Sequence, residues 1–279
     1  MRRRLGPLAF GLALGLGAGA LAGPALRAPA VPVSEVPLPA FSKVAFLSHV
    51  NSPRRTPLFP GDPPFRAETV FTVAEDGFYL RYLHQGEHTG THYSAPCHFH
   101  ADEICAQDLD PADMVLPAVV IDVRAQVAAD PDYRITVADL EAWEDAYGPM
   151  PRNAAVLART GCSKYWGPSD EPTEPTYFNC GSGLRGFHQP GFSVEAVRWL
   201  LDRGVLGERG ALGSDTFGPD PSSDPRYRAS SLTLHEHRLT LENLHNLGEL
   251  SPAGSWIVVG GPVNAKGSGA PAMVFGLIP

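Results

Sequence analysis

Four of the chain's ten histidines fall within thirteen residues, in the run His88-Thr-Gly-Thr-His92-Tyr-Ser94-Ala-Pro96-Cys-His98-Phe-His100. No other stretch restricts the fold as much. His88 and His92 stand four positions apart, a spacing that shares one face of a helix, and His98 follows six later. Gly90, Thr91 and Pro96 oppose a regular helix here, since glycine loosens the backbone and proline removes a donor. A tight loop must therefore gather the imidazoles. Neutral imidazole is the commonest metal-binding side chain and the natural acid–base group near neutral pH. The plainer reading is a polar surface loop that happens to be rich in histidine.

The flanking sequence supplies a framework for such a loop. Phe71–Val73 and Phe78–Leu83 surround Glu75-Asp76-Gly77, a hairpin signal whose second strand delivers the chain to His88. A loop presented at a strand end is a common place for catalytic groups. Before the hairpin, residues 31–66 are rich in proline and read as an irregular lead-in. After it, Ala118–Val123 and Ala154–Ala158 are short apolar runs expected to be buried strands. Thr136 caps a predicted helix from Val137 to Tyr147, with Asp139 at the box position and Pro149 and Pro151 ending it. Residues 170–190 read as a long polar loop, a lid or an oligomer contact. Ser193 caps a second helix that stops at Gly204. Ser231–Leu241 alternates in part, Trp256–Val259 reads as a strand, and Met273–Ile278 closes the sheet. Strands and helices intermix, so the class is mixed α/β or α+β, with the topology left open.

The 279 residues suit one large domain or a compact pair. Residues 1–30 differ from the rest: Arg2, Arg3 and Arg4 precede an apolar run ending near Ala20-Leu21-Ala22. That is the layout of a signal peptide, with a membrane anchor as the alternative. Removing its four arginines takes the formal charge from −8 to −12. An acidic exported domain, periplasmic or extracellular, is a poor partner for nucleic acid or anionic membrane. We expect no stable membrane insertion once the signal is cleaved. Cys97, Cys105, Cys162 and Cys180 allow three disulfide pairings. Disulfides or inert thiols are the expectation over a structural zinc site, although Cys97 lies inside the histidine loop, where a thiolate ligand is conceivable.

The histidine segment resembles the H-x-G-T-H-x-D-x-P-x-H-F signature of the cyclase family of metal-dependent hydrolases, which includes kynurenine formamidase and isatin hydrolase. His88, Gly90, Thr91, His92, Pro96, His98 and Phe99 match it, and Ser94 stands where the signature has aspartate. Thr160-Gly161, the Gly191-Phe-Ser193 helix start, Gly213-Ser-Asp215-Thr216, Glu242-Asn243-Leu244 and Gly267-Ser-Gly resemble further family landmarks in order, across roughly residues 40–279. The resemblance implies a single domain over residues 31–279 with a barrel-like mixed sheet flanked by helices, of the swivelling β/β/α type. It also implies a homodimer or homotetramer.

It further implies His88, His92 and Glu242 as ligands of one divalent metal ion, zinc or manganese, and His98 as the catalytic histidine. A second ion would need a histidine twelve residues before Glu242, where this chain has Ser230. Ser94 and Ser230 thus both replace strong ligands, unless His235 or His237 shifts into register. His100, Asp102 and Glu103 are nearby substitutes for the missing carboxylate. Asp215 either orients a site group or caps a turn. Tyr165, Trp166 and Phe187 line an aromatic substrate pocket or simply pack.

A metal at two histidines and a carboxylate leaves a position for water and polarises a carbonyl. The leading expectation is hydrolysis of a C–N bond in an amide, formamide or cyclic amide of a small-molecule substrate, with lactones, esters or a cyclising reaction as relatives. Two readings differ in kind. One is a degenerate member that binds a small molecule without catalysis; the other is metal storage.

Overall fold

The computed structural model describes residues 41–167 and 176–279. The signal-like segment and part of the long polar loop lie outside them. In chain order the strands are β1 (Lys43–Phe46), β2 (Arg66–Phe71), β3 (Leu80–His84), β4 (His92–Ser94), β5 (Val115–Asp122) and β6 (Arg134–Ile135). There follow β7 (Ala155–Arg159), β8 (Gly191–Phe192), β9 (Arg209–Ser214), β10 (His237–Glu242), β11 (Trp256–Gly260), β12 (Gly269–Pro271) and β13 (Met273–Ile278). The helices are α1 (Val73–Asp76), α2 (Arg124–Ala129), α3 (Val137–Tyr147), α4 (Val194–Asp202) and α5 (Arg228–Thr233).

Nine strands form one curled sheet in the order β1-β13-β11-β5-β7-β9-β10-β4-β12. Its centre, β5-β7-β9-β10, is parallel. Both flanks are antiparallel. The mixed α/β class expected from the sequence is what the chain adopts.

The central strands are buried on both faces, which is why they read as continuous apolar runs. Alternate residues go to different cores. Val119, Ile121, Val156 and Leu212 point to the helical side, where Leu140 and Trp143 of α3 and Val197 and Leu200 of α4 cover them. Ala118, Val120, Leu157 and Ala211 point into the curl, against Leu239, Ile257 and Val274 from the rest of the sheet. Helices therefore cover one face and the sheet encloses its own other face.

The predicted caps hold α3 and α4 in place. Asp139 accepts the Thr136 amide at 2.7 Å, and Ser193 Oγ accepts the Ala196 amide at 3.1 Å. Such caps contribute about 1 kcal/mol each. Gly204, at φ 67°, turns the chain out of α4.

Three expectations need correction. The proline-rich lead-in contains β1, an edge strand recruited by pairing with β13. The hairpin is real but its turn is the short helix α1, with Gly77 left-handed at its end. Ser231–Leu241 is not one strand: its first part belongs to α5, and β10 begins only at His237.

Candidate functional site

The centre is built by strand register. On β4, His92 lies directly across from Glu242 of β10, a pairing that brings side chains of one face within contact. His92 Nε2 and Glu242 Oε2 stand 3.4 Å apart. His92 Nδ1 donates to the Gly90 carbonyl at 2.8 Å, which leaves Nε2 free to face the carboxylate. Asn243 Nδ2 donates to the same carbonyl at 2.9 Å. Tyr177 in turn donates to Asn243 at 2.8 Å. Gly90 has φ 68°, and a Cβ there would sit 2.0 Å from Asn51 Oδ1, so the glycine of the histidine run is a steric requirement.

The other two imidazoles follow. The His88 ring stacks on His98 at 4.0 Å and meets His92 edge-on at 5.0 Å. His88 Nε2 donates to Ser268 Oγ at 2.9 Å, and that hydroxyl donates to Glu87 at 2.8 Å. His88 Nδ1 accepts from Ser94 Oγ at 3.2 Å. Gly269 lets this happen, since a Cβ on it would meet the Tyr93 carbonyl at 2.3 Å and His88 Cε1 at 3.0 Å. The Gly267-Ser-Gly turn thus packs directly on His88. His98 stands at the solvent edge of the group.

Charge in this cluster is settled by burial and pairing. Burial pushes His88 down to about 3, so its ring is neutral. Loss of solvent around the ring also lowers His98, against the pull of Glu242. Burial opposes charge on Glu242 too, but His92 outweighs it and holds the carboxylate ionised. For His92 the attraction and hydrogen bond of Glu242 likewise overcome burial and raise its pKa.

A cavity of about 250 Å³ opens beside these groups, lined by His88, His92, His98, Glu242 and Ser230. Phe59, Phe99, Phe217 and Tyr227 supply its aromatic wall. Two carboxylic acids lining it escaped the sequence reading. Asp62 comes from the proline-rich lead-in. Asp220 accepts the Ala229 amide at 2.7 Å and the Ser230 hydroxyl, and burial raises it to about 6. Neither lies in a periodic segment or a motif, so no local signal marks them.

Other candidates fall away from the cavity. The Asp215 carboxylate accepts the Thr160 amide at 2.8 Å, its hydroxyl at 2.6 Å and the Gly161 amide at 3.0 Å, so it holds that turn. His235 is bonded to Glu103 at 2.8 Å and His237 to Asp113 at 2.7 Å, so no register shift brings either to the position of Ser230. His100 is bonded to the Ser231 carbonyl at 2.8 Å. Cys97 is disulfide-bonded to Cys105 and Cys162 to Cys180, which excludes Cys97 as a thiolate ligand. Trp166 stacks on His49 at 3.9 Å, and Phe187 packs behind Phe59.

The donor set fits a divalent cation by its chemistry: a tautomer-fixed imidazole, an ionised carboxylate beside it, and a neutral second imidazole. As the side chains stand, no three His, Cys, Asp or Glu groups among the described residues close around one point. Both nitrogens of His88 are hydrogen-bonded, to Ser94 and to Ser268.

The chain is thus a mixed α/β protein whose curled sheet carries a histidine–carboxylate centre at the edge of an aromatic cavity. The Cyclase family model matches residues 46–221, and the chain belongs to that family. An isatin hydrolase of Roseibium aggregatum is 29% identical over 243 residues, spanning 80% of this chain and 88% of that protein. Isatin hydrolase A from Ralstonia solanacearum superposes with a TM-score of 0.73 at 32% identity, over 85% of this chain and 92% of that one. Isatin hydrolase A from Labrenzia aggregata, solved with benzyl benzoate bound, gives 0.74 at 26% identity, over 85% and 93%.

Proposed function

We propose that this protein is an exported, metal-dependent hydrolase that opens the C–N bond of an aromatic amide, formamide or cyclic amide. The observation that carries the reading is the His92–Glu242 pair, set beside His88 and His98 on an aromatic cavity. The likeness to isatin hydrolases, one of them holding an aromatic ester, supports it.

His92 and Glu242, with His88 turned from Ser94, would hold one zinc or manganese ion. When bound, such an ion polarises the carbonyl and makes water a nucleophile at neutral pH. His98, neutral because its pKa is lowered, accepts the proton of the attacking water. It returns that proton to the nitrogen as the C–N bond breaks, leaving a carboxylic acid and an amine. Phe59, Phe99 and Phe217 hold the ring of the substrate and exclude water. Asn243, through the Gly90 carbonyl, keeps His92 in its ligand tautomer.

The test is turnover of isatin and formanilide by zinc- and manganese-loaded protein. His98→Ala should lower kcat by about 10²–10⁴-fold with metal content unchanged. Equal activity in the variant would defeat the assignment.

A second reading, ligand binding without catalysis, draws on Ser94 and Ser230 in place of strong ligands. Protein that takes up neither ion at millimolar concentration would favour it. Export is supported by the signal-like layout and by two disulfides. A homodimer or homotetramer is supported by the hairpin β2–β3, which carries no buried residue and exposes Phe71, Phe78, Tyr82 and Leu83.

A further inference from the structure

Apart from imidazole and the Tyr227 phenol, every ionisable side chain lining the cavity is a carboxylic acid: Asp62, Asp220 and Glu242. No lysine or arginine lines it among the described residues. Two of the acids are already engaged. Glu242 faces His92 and accepts from Thr240 at 3.1 Å. Asp220 caps α5 through the Ala229 and Ser230 amides. Asp62 is different. It stands exposed at the mouth, and its carboxylate has no hydrogen-bond or ion-pair partner among the described residues.

The turn that carries Asp62 is fixed at both ends. Its amide donates to the Phe59 carbonyl at 3.0 Å across Gly61, which has φ 103°. The Phe59 ring is wedged edge-on against Phe187 and Phe217, with centroids at 5.7 and 5.9 Å. On the other side, Pro63 packs on Gly86, just ahead of the histidine run. The charge is therefore held over the entrance. Partial loss of solvent raises the Asp62 pKa above the ordinary aspartate value, against the attraction of His92 and His98 and with the repulsion of Glu242, so the carboxylate is within electrostatic reach of the groups inside.

We propose that Asp62 is a specificity-determining residue of this cavity, whose uncompensated carboxylate admits uncharged and cationic aromatic amides and rejects those bearing a carboxylate. The inference names the substrate class of the hydrolase reading and rests on it. The physical basis is like-charge repulsion at the cavity mouth, where one unit charge at contact distance is worth about tenfold in affinity. The two charges of a bound divalent ion leave the third carboxylate unbalanced. The aromatic wall favours a planar ring, and a cation over such faces gains further attraction.

The experiment is calorimetric binding of three ring-matched benzamides to zinc-loaded protein: unsubstituted, 4-aminomethyl and 4-carboxy. We expect the 4-carboxy compound to bind about tenfold more weakly than benzamide, and the 4-aminomethyl compound at least as well. Asp62→Asn should bring the three within about threefold of each other, and added salt should narrow the spread in the parent protein. Equal binding of all three, tighter binding of the 4-carboxy compound, no binding of benzamide, or a spread unchanged by Asp62→Asn would overturn the proposal. Binding is read without turnover, so the two readings fail separately. Charge selectivity with no amide cleaved defeats the hydrolase and leaves the selectivity standing. Cleavage with no charge preference does the reverse.

Discussion

Ser94 Oγ sits 3.2 Å from His88 Nδ1 and 3.4 Å from Glu242 Oε1, so one hydroxyl joins two groups that a metal would otherwise join. Ser94→Asp would place a second carboxylate against Glu242. Without metal, that repulsion should lower the melting temperature; with zinc, the variant should regain it and bind the ion at least tenfold more tightly than the parent. Thermal scans across a zinc titration read both effects, and an unchanged affinity would mean that Ser94 does not limit binding. His49 offers a separate test. Burial lowers its pKa to about 3. A base whose folded pKa lies below its unfolded value takes up a proton on unfolding. The stability is thus intact above pH 6.5 and is lost as pH falls toward 3. At pH 4 the loss amounts to about 3 kcal/mol. His49→Gln should flatten the acid limb of a stability–pH curve over that range, and an unchanged slope would rule this out. The histidine run marks His88, His92 and His98 in the sequence, Glu242 was picked out only through the family resemblance, and the fold brings all four to one cavity. Asp62 and Asp220 were not legible, because tertiary packing alone delivers them to the cavity.

Elements were legible where burial imposes a pattern and illegible where a distant residue builds them. Of the four central strands, β5 and β7 carry local signals, as do the capped helices α3 and α4. By contrast, α5 begins at a left-handed Tyr227, φ 51°, and takes its cap from Asp220, outside the segment. Nothing inside Ser231–Leu241 announces that break. β1 likewise has only Ala45 buried and exists through its pairing with β13. Four cysteines left three pairings open, and packing selects the two sequence-neighbouring pairs. The Cys162–Cys180 bridge closes a separation of 18 residues and ties the turn after β7 to the Tyr177 turn behind Asn243. Replacing both cysteines by serine should cost about 3 kcal/mol, or roughly 10 °C in Tm for a domain of this size. Calorimetry of the oxidised parent and the variant measures it; a difference under about 1 kcal/mol would show that the unfolded chain gains little freedom.

At the scale of the whole molecule, the curled sheet explains why a site assembled from β4, β10 and the turn before β12 faces outward. Its concave interior is filled with aliphatic side chains, and the polar groups are left at the rim. The hairpin β2–β3 departs from this economy, because a two-stranded sheet with both faces in water is marginal by itself. The proposed homo-oligomer would cover it with a second copy of the chain. Phe71→Ser with Tyr82→Ser should then reduce the mass seen in sedimentation equilibrium to that of one chain; an unchanged multimer would place the interface elsewhere.

The link between Cys97 and Cys105 has a consequence for how the protein comes of age. His98 is the next residue after a half-cystine, and the bridged segment also carries His100 and Glu103. The loop that places His98 is therefore closed by a covalent bond as well as by its own hydrogen-bonded turn. A chain made in a reducing cell would assemble its sheet and its His92–Glu242 pair yet leave His98 on a loose tether. Under the proposed hydrolase function, specific activity should then vary with the redox history of each preparation.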